Sequence, residues 1–331
     1  MMTYTPKVSI ITPSYNQAQF LEQTIQSVLT QTYPNIEYIV VDGASSDNSV
    51  EIIRKYEHRI NWWVSEPDKG QSEAVNKGWM HATGEIIGWL NSDDLLLPDT
   101  VTRMVNAFEE TPEMGFIYGD VLSIDQYGDI FNVMRFQQWG IEDLAAFEVI
   151  SQPGVFMRRE ILEQAGYLNN TLHYLMDIHL WLKMIQLAPM RYLPGLAAAA
   201  RYHAGAKNVA AGAHYGADAY KIVEWMKTQP LLQEILEKDS HRVWAGAHRI
   251  SARYLLDAGD ARGALRDYLR CFWARPATAL PETNRILFSF LSLVGLGKLK
   301  ETYYANRLKK RRKNQPDLYR NVSAFLRTEK Q

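Results

Sequence analysis

The sequence predicts an α/β fold with a mostly parallel central sheet flanked by helices, followed by a helical C-terminal region. Two observations carry this. Short β-rich runs, Val8 to Thr12, Ile36 to Asp42, Asn61 to Val64 and Ile86 to Leu90, alternate with stretches of helical periodicity. Beyond about residue 212 the strand signals stop and amphipathic helical stretches take over.

The first helix is marked by Phe20, Leu21, Ile25, Val28 and Leu29. The second, with Val50, Ile52, Ile53 and Tyr56, follows Ser45-Ser46-Asp47-Asn48, side chains that cap a helix by accepting from its free N–H groups. In the C-terminal region, Tyr220, Val223, Trp225 and Met226 form one amphipathic stretch and Ile250, Tyr254 and Leu255 another. Ala258 to Tyr268, followed by Arg275-Pro276, reads as a helical hairpin, and a single copy does not make a repeat array. The expected organisation is one α/β domain over 1–212, dividing near residue 110, and a helical region with a basic tail over 213–331.

At 331 residues, 47% hydrophobic and 22% charged, the chain can bury one large core and a smaller appendage. A formal net charge of -1 excludes a global basic field for nucleic acid, although Lys309, Lys310, Arg311, Arg312 and Lys313 form a local block. A single cysteine, Cys271, excludes an internal disulfide and a cysteine metal site, so a reducing, cytoplasmic setting is expected. The N-terminus runs into Val8-Ser9-Ile10-Ile11-Thr12 without a charged leader and cleavable apolar segment, so secretion is not expected. The most apolar window, Ile286 to Leu296, is shorter than the roughly 18 to 20 residues that cross a bilayer. With the basic block it fits either peripheral contact with an anionic membrane or a buried helix before a solvated tail.

Ligands of parallel α/β sheets sit outside the carboxyl ends of the strands. There this chain places Pro13-Ser14-Tyr15-Asn16, Asp42-Gly43-Ala44-Ser45-Ser46-Asp47, Glu66-Pro67-Asp68-Lys69-Gly70-Gln71 and Asn91-Ser92-Asp93-Asp94. Each loop alone is ordinary turn chemistry. Four on one edge, three carrying carboxylates and one carrying Tyr15 to stack on a base, suit a nucleotide-diphosphate pocket. Asp93 is the first metal-ligand candidate, since hard cations such as Mg²⁺ or Mn²⁺ take oxygen ligands and keep other positions for phosphates and water. Asp94 fits a second ligand or a turn-capping carboxylate equally well.

The runs Val8 to Asn16, Tyr38 to Asp47 and Trp89 to Asp94 resemble, in order and spacing, the family 2 glycosyltransferases of GT-A fold, a Rossmann-like architecture, over about residues 5 to 205. The resemblance implies inverting transfer from a nucleotide-sugar donor, commonly UDP-linked, to a hydroxyl of a glycan or lipid-linked acceptor, as in cell-surface polysaccharide biosynthesis, with Mn²⁺ or Mg²⁺ as cofactor. It implies that Pro13, Tyr15 and Asp42 hold the nucleobase and ribose, that Gly70, Gln71 and Asn76 line the donor pocket, and that Asp93 binds metal. Where the family more often has Asp, this chain has Asn91, which with Ser92 can still hydrogen-bond the donor. Tyr174 to Leu182 resembles the family's acidic motif and aligns Asp177 with the catalytic base, while Gln152 and Met176 are expected on the acceptor side. Arg201-Tyr202-His203 resembles a segment whose Arg reaches the diphosphate and whose His completes the metal shell; Lys207 is a weaker candidate phosphate contact. A catalytically degenerate nucleotide-sugar-binding module is the alternative that Asn91 raises and Asp177 opposes. A dinucleotide-binding enzyme is disfavoured because no Gly-x-Gly-x-x-Gly follows the first strand.

Overall fold

The computed structural model describes residues 5–206 and 214–297. By their contacts these residues divide into two units. The first holds residues up to Asp125 with Asn132–Gly140 and Ile150–Arg201; the second holds Gln126–Phe131, Ile141–Val149 and the residues from Tyr202 onward. The expected boundary at residue 212 lies outside the described residues, as do Lys207 and the basic block Lys309 to Lys313.

In the first unit the chain runs β1 (Val8–Ser14), α1 (Ala18–Leu29), β2 (Ile36–Asp42), α2 (Ser49–Tyr56), β3 (Trp62–Ser65), α3 (Gln71–His81) and β4 (Ile86–Trp89). It continues through β5 (Leu95–Leu96), α4 (Thr100–Glu110), β6 (Phe116–Asp125), β7 (Ile130–Met134), β8 (Val155–Arg158), α6 (Arg159–Ala165), α7 (Met176–Met184) and β9 (Met190–Tyr202), with α5 (Ile141–Ala145) belonging to the second unit. The sheet order is β3-β2-β1-β4-β8-β6-β9-β5, with β7 paired to β6. The strands β3, β2, β1 and β4 are mutually parallel, and β8 joins β4 and β6 antiparallel. Every residue of β1 and β4 is buried, as expected of strands covered by helices on both faces. The core beneath the helices gathers Val8, Ile10, Leu21, Ile25, Val40, Phe108, Ile117 and Phe156.

The first crossover leads from β1 outward to β2, whereas α3 returns the chain to β4 on the other flank of β1. The strand order therefore reverses between β1 and β4, where open α/β sheets bind ligands. The strand β1 extends past the expected Thr12 through Pro13, which a central strand tolerates only where no ladder bond is lost. Ile11 faces β4, since its carbonyl accepts from Leu90, and by alternation so does Pro13. The β1–β4 ladder has ended by that point, so the missing N–H costs nothing.

The second unit contains α5 and the helices α8 (Tyr215–Met226), α9 (Pro230–Asp257), α10 (Ala261–Ala274), α11 (Pro276–Ala279) and α12 (Thr283–Leu293). The predicted hairpin is present. Gly259 turns with φ 86, and Asp260 caps α10 by accepting from the Gly263 N–H at 2.8 Å. Its core packs Ala252, Leu255, Leu256, Ala264, Tyr268 and Phe288. One face of α12 stays apolar and exposed through Leu287, Phe290 and Leu293. No described helix is long and apolar enough to cross a membrane.

His179 is buried in α7, and burial, followed by the charge of Lys183, draws its pKa down to about 4. The folded state disfavours imidazolium, so stability present above the unfolded pKa near 6.5 is lost as pH falls towards 4. Urea unfolding at stepped pH is expected to show a loss of at most about 3 kcal/mol over this window, and a flatter profile in His179→Gln. An equally steep profile in the variant would assign the loss to other groups.

Candidate active site

Ser14, Asp42 and Ser65, the last residues of β1, β2 and β3, stand in register. The loops that follow therefore leave the sheet at one level, beside the switch point. Side chains stitch them together. The Asn16 backbone N–H donates to Ser45 Oγ at 2.8 Å, and Asn16 Oδ1 accepts from the Ser46 N–H at 2.8 Å. Asp47 accepts from the first N–H of α2, at Ser49, and from the first N–H of α1, at Ala18. Burial opposes its charge, yet hydrogen bonds from Ser49 and Ala18 at two helix N-termini hold its carboxyl below the usual carboxylate range.

Asp42 is fully buried. Its Oδ2 accepts from the Ser45 N–H at 2.9 Å and Ser65 Oγ at 2.7 Å, and its Oδ1 from Ser45 Oγ. Asp42, expected to contact the base or ribose, braces the loops that follow the strands, and Pro13, expected beside it, is buried as well. Tyr15 is the outward residue of this corner, 63% exposed. A Cβ on Gly43 would meet Asp68 Oδ2 at 2.6 Å and the Tyr15 ring at 3.3 Å, so the glycine lets an aromatic ring and a carboxylate close in on the same point of the backbone. Asp68, which the sequence reading did not single out, also accepts from the Gly70 N–H.

Asn91 is the hub of the fourth loop. Its Oδ1 accepts from Gln71 Nε2 at 2.6 Å and Trp89 Nε1 at 2.9 Å; its Nδ2 donates to Asp94 Oδ2 and Gln152 Oε1, both at 3.2 Å. Indole nitrogen only donates, which fixes the amide's orientation. An aspartate could accept the first two bonds and make neither of the others. Gln152 is buried on the turn before β8, and its Nε2 donates to the Trp89 carbonyl. Gln152, expected on the acceptor side, thus also supports Asn91.

The Asp93-Asp94 turn is held from three sides. Thr24 Oγ1 donates to the carbonyls of Ser92 and Asp94 at 2.9 and 2.8 Å, and Ser92 is itself buried. Asp94 is buried, with Oδ1 accepting from the Arg201 backbone N–H and Oδ2 from Asn91, so its carboxyl serves the turn. The Arg201 guanidinium donates to the carbonyls of Asp93 and Asp125 and to Gln23 Oε1, and lies 4.8 Å over the Phe20 ring. Arg201, expected to reach the diphosphate, is a buried strut behind the turn. Asp93 alone keeps a half-exposed carboxylate. Burial, then the Asp93 carboxylate beside it, holds Asp94's carboxyl well above the usual range. Among the described residues no cluster of three His, Cys, Asp or Glu could hold a metal by itself. The Asp93 carboxylate offers one hard oxygen ligand, of the kind taken by Mg²⁺ or Mn²⁺, which fill their remaining positions from phosphate and water.

Gly70 begins α3 with φ 123, a conformation reserved for glycine, and its carbonyl accepts from Glu73 and Ala74. Gln71, next in line, reaches Asn91. Asn76, expected to line the donor pocket, commits its amide to the Leu168 backbone in both directions and to Asn170 Oδ1, so it latches the 166–175 loop. Ser72 Oγ lies 2.8 Å from Met176 Sδ, which pins the start of α7 to the start of α3. Met176, expected on the acceptor side, is buried, and Asp177, the next residue, is half-buried with Oδ1 accepting from the Ile178 N–H. The chain of contacts Asp177, Met176, Ser72, Gln71, Asn91 connects this carboxylate to the Asp93 turn. His203 follows β9 in the second unit, its carbonyl accepting from the Ala206 N–H.

This architecture, four parallel strands feeding one polar edge and an antiparallel half carrying an acidic helix start, is the GT-A fold of nucleotide-sugar-dependent glycosyltransferases. Solved structures share it at low sequence identity. Staphylococcus aureus TarS 1-349, in complex with UDP-GlcNAc, superposes with TM-score 0.60 at 17% identity, covering 87% of this chain and 92% of that one. The mannosyltransferase PcManGT of Pyrobaculum calidifontis, in complex with GDP-Man and Mn²⁺, gives TM-score 0.55 at 21% identity over 98% of this chain and 86% of that one. The glycosyl transferase family 2 model matches residues 9–165, so over this segment the chain is similar to that family. An uncharacterized glycosyltransferase of Rickettsia felis is 29% identical over 218 residues, 62% of this chain and 36% of that protein. One of Mycobacterium tuberculosis is 38% identical over 120 residues, 36% of this chain and 46% of that protein. The chain thus spans about half or less of the length of these two relatives.

Replacing Asn91 with Asp removes two donated bonds and adds a carboxylate beside Asp93 and Asp94. Without divalent ions, Asn91→Asp is expected to lower stability by about 1 to 3 kcal/mol in urea unfolding, and Mn²⁺ to restore part of the loss. An unchanged midpoint would mean that the Asn91 donations contribute nothing.

Proposed function

We propose that this chain is an inverting, metal-dependent glycosyltransferase that moves a sugar from a nucleotide-diphosphate donor to a hydroxyl of a glycan or lipid-linked acceptor. The observation that carries the reading is the rigid Asn91 to Asp94 turn, which presents Asp93 at the switch point while Arg201, Asn91 and Thr24 hold every other polar group inward. Tyr15, exposed beside Gly43, stacks on the nucleobase, with Asp68 near it as hydrogen-bond acceptor. Asp93 would hold Mn²⁺ or Mg²⁺, which when bound supplies positive charge against the diphosphate as the sugar-phosphate bond breaks. Asp177 acts as the base. It takes the proton of the acceptor hydroxyl while that oxygen attacks the anomeric carbon from the face opposite the departing diphosphate, which inverts the configuration. The family match, and neighbours whose structures hold UDP-GlcNAc or GDP-Man, support a nucleotide-sugar donor, with UDP as first candidate.

A thermal-shift panel of UDP, GDP, CDP and dTDP with and without Mn²⁺ tests the site, because selective ligands stabilise the native state by mass action. One nucleotide is expected to stabilise the protein only with metal, and Asp93→Ala to abolish the shift. Asp177→Asn is expected to keep the shift while lowering turnover roughly 10²- to 10⁴-fold, the usual range for loss of a general base. Nucleotide binding without any turnover of the matching nucleotide-sugars would instead favour a degenerate binding module.

A cytoplasmic location with peripheral membrane contact through α12 extends the proposal to lipid-linked acceptors. Its support is the exposed Leu287, Phe290 and Leu293 face, a geometry that inserts shallowly into a bilayer surface. Cosedimentation with anionic phospholipid vesicles is expected to fall severalfold in Leu287→Ser/Phe290→Ser. Equal cosedimentation of the two proteins would exclude α12 as the contact.

A further inference from the structure

The second unit carries an open-sided cavity of about 230 Å³, none of whose lining residues takes part in the proposed transfer step. Ala146, Glu148, Arg242, Arg249, Arg275 and Thr278 line it. Its walls are brought together by a close backbone approach. A Cβ on Gly246 would stand 1.9 Å from the Ala146 carbonyl oxygen, so only glycine lets α9 press against the segment after α5, where Phe147 turns with φ 58. Arg249, 6% exposed, donates from Nη1 to Glu148 at 2.8 Å and from Nη2 to the Phe147 carbonyl at 2.9 Å. Its buried Nε–H meets no acceptor. Arg242 pairs with Asp143. Arg275, between α10 and α11, makes no ion pair among the described residues, which leaves a third guanidinium uncompensated. The nearby Glu282 does not balance it, because that carboxylate is engaged by Arg253 and Arg285. Counting these five arginines against Asp143, Glu148, Asp257 and Glu282, one positive charge is in excess.

We propose that this cavity is a phosphate-binding site, taking inorganic phosphate or the phosphate of a small ester. Guanidinium groups converging from different elements, with an unsatisfied N–H and surplus charge, match a tetrahedral oxyanion better than any neutral ligand. The volume admits one phosphate and a short substituent. The site is independent of the transferase reading, since none of its lining residues belongs to the unit that carries Asp93.

The test is calorimetric titration of the full chain at constant ionic strength with inorganic phosphate, methyl phosphate and dimethyl phosphate, with chloride as control. At least one phosphate is expected to bind where chloride does not, and the tightest of the three identifies a free, monoester or diester ligand. Arg275→Gln is expected to weaken that binding about tenfold, the loss of one charge-assisted contact, and Glu148→Gln to strengthen it. Arg249→Gln risks the fold, so Arg275→Gln decides. Undiminished binding in Arg275→Gln, or no phosphate binding beyond the chloride control, overturns the proposal. Nucleotide stabilisation that depends on Asp93 would be untouched by either result.

Discussion

The buried Arg201 guanidinium is the constraint on which the candidate active site depends. It sits at the end of β9, yet its donors go to the Asp93 and Asp125 carbonyls and to Gln23, while its own N–H caps the Asp94 carboxylate. Burying such a charge is tolerable only where its hydrogen bonds are satisfied, and removing one partner of a buried charge cluster typically costs about 3 to 5 kcal/mol. The consequence is positional. The turn after β4 cannot drift, because its carbonyls are fixed by Arg201 on one side and Thr24 on the other. A carboxylate that is to meet a metal or a diphosphate gains from being held in place before the ligand arrives.

The same economy of contacts runs through the neighbouring loops. Asp42 and Asp47 brace the first two, Asn91 and Gln152 the fourth, and Asn76 and Met176 tie α3 to the acidic end of α7. Most polar residues at this edge therefore face other protein groups. Tyr15, Asp68, Asp93 and Asp177 are among those that keep partial exposure. That division explains Asn91. With two carboxylates already at the turn and Asp94 held towards its neutral form by burial and by Asp93, an amide that both accepts and donates satisfies Trp89, Gln71, Asp94 and Gln152 together.

Much of the fold was legible because periodicity is a local property. The strand Ile36–Asp42 was read with its bounds, and the gap between Thr12 and the observed end of β1 came from Pro13, whose tolerance depends on where a neighbouring strand stops. The helix at residue 49 was foreseen from a capping run, although the cap is Asp47, acting on two helices at once. At the site, the loops and Asp93 were visible from residue type and order. The supporting residues Thr24, Gln23, Trp89 and Asp68 were not, since an interior Thr or Gln on a helix carries no signal until its partner, some 70 to 180 positions away, is known.

What the sequence by itself determined is the alternation of strand and helix, the polar edge those strands share, and which residue types collect there, because each follows from local pattern and from the parallel topology it implies. Only the tertiary structure decided which of those residues face outward. Side-chain direction depends on neighbours supplied by distant segments, so Arg201, Asp42, Asn76, Gln152 and Met176, all plausible ligand contacts by type, proved to be buried or engaged in holding the site together. The arginine-lined cavity of the second unit belongs to the same category: Arg242, Arg249 and Arg275 share no motif, and it is the Gly246 approach and the α10–α11 corner that bring them to one wall.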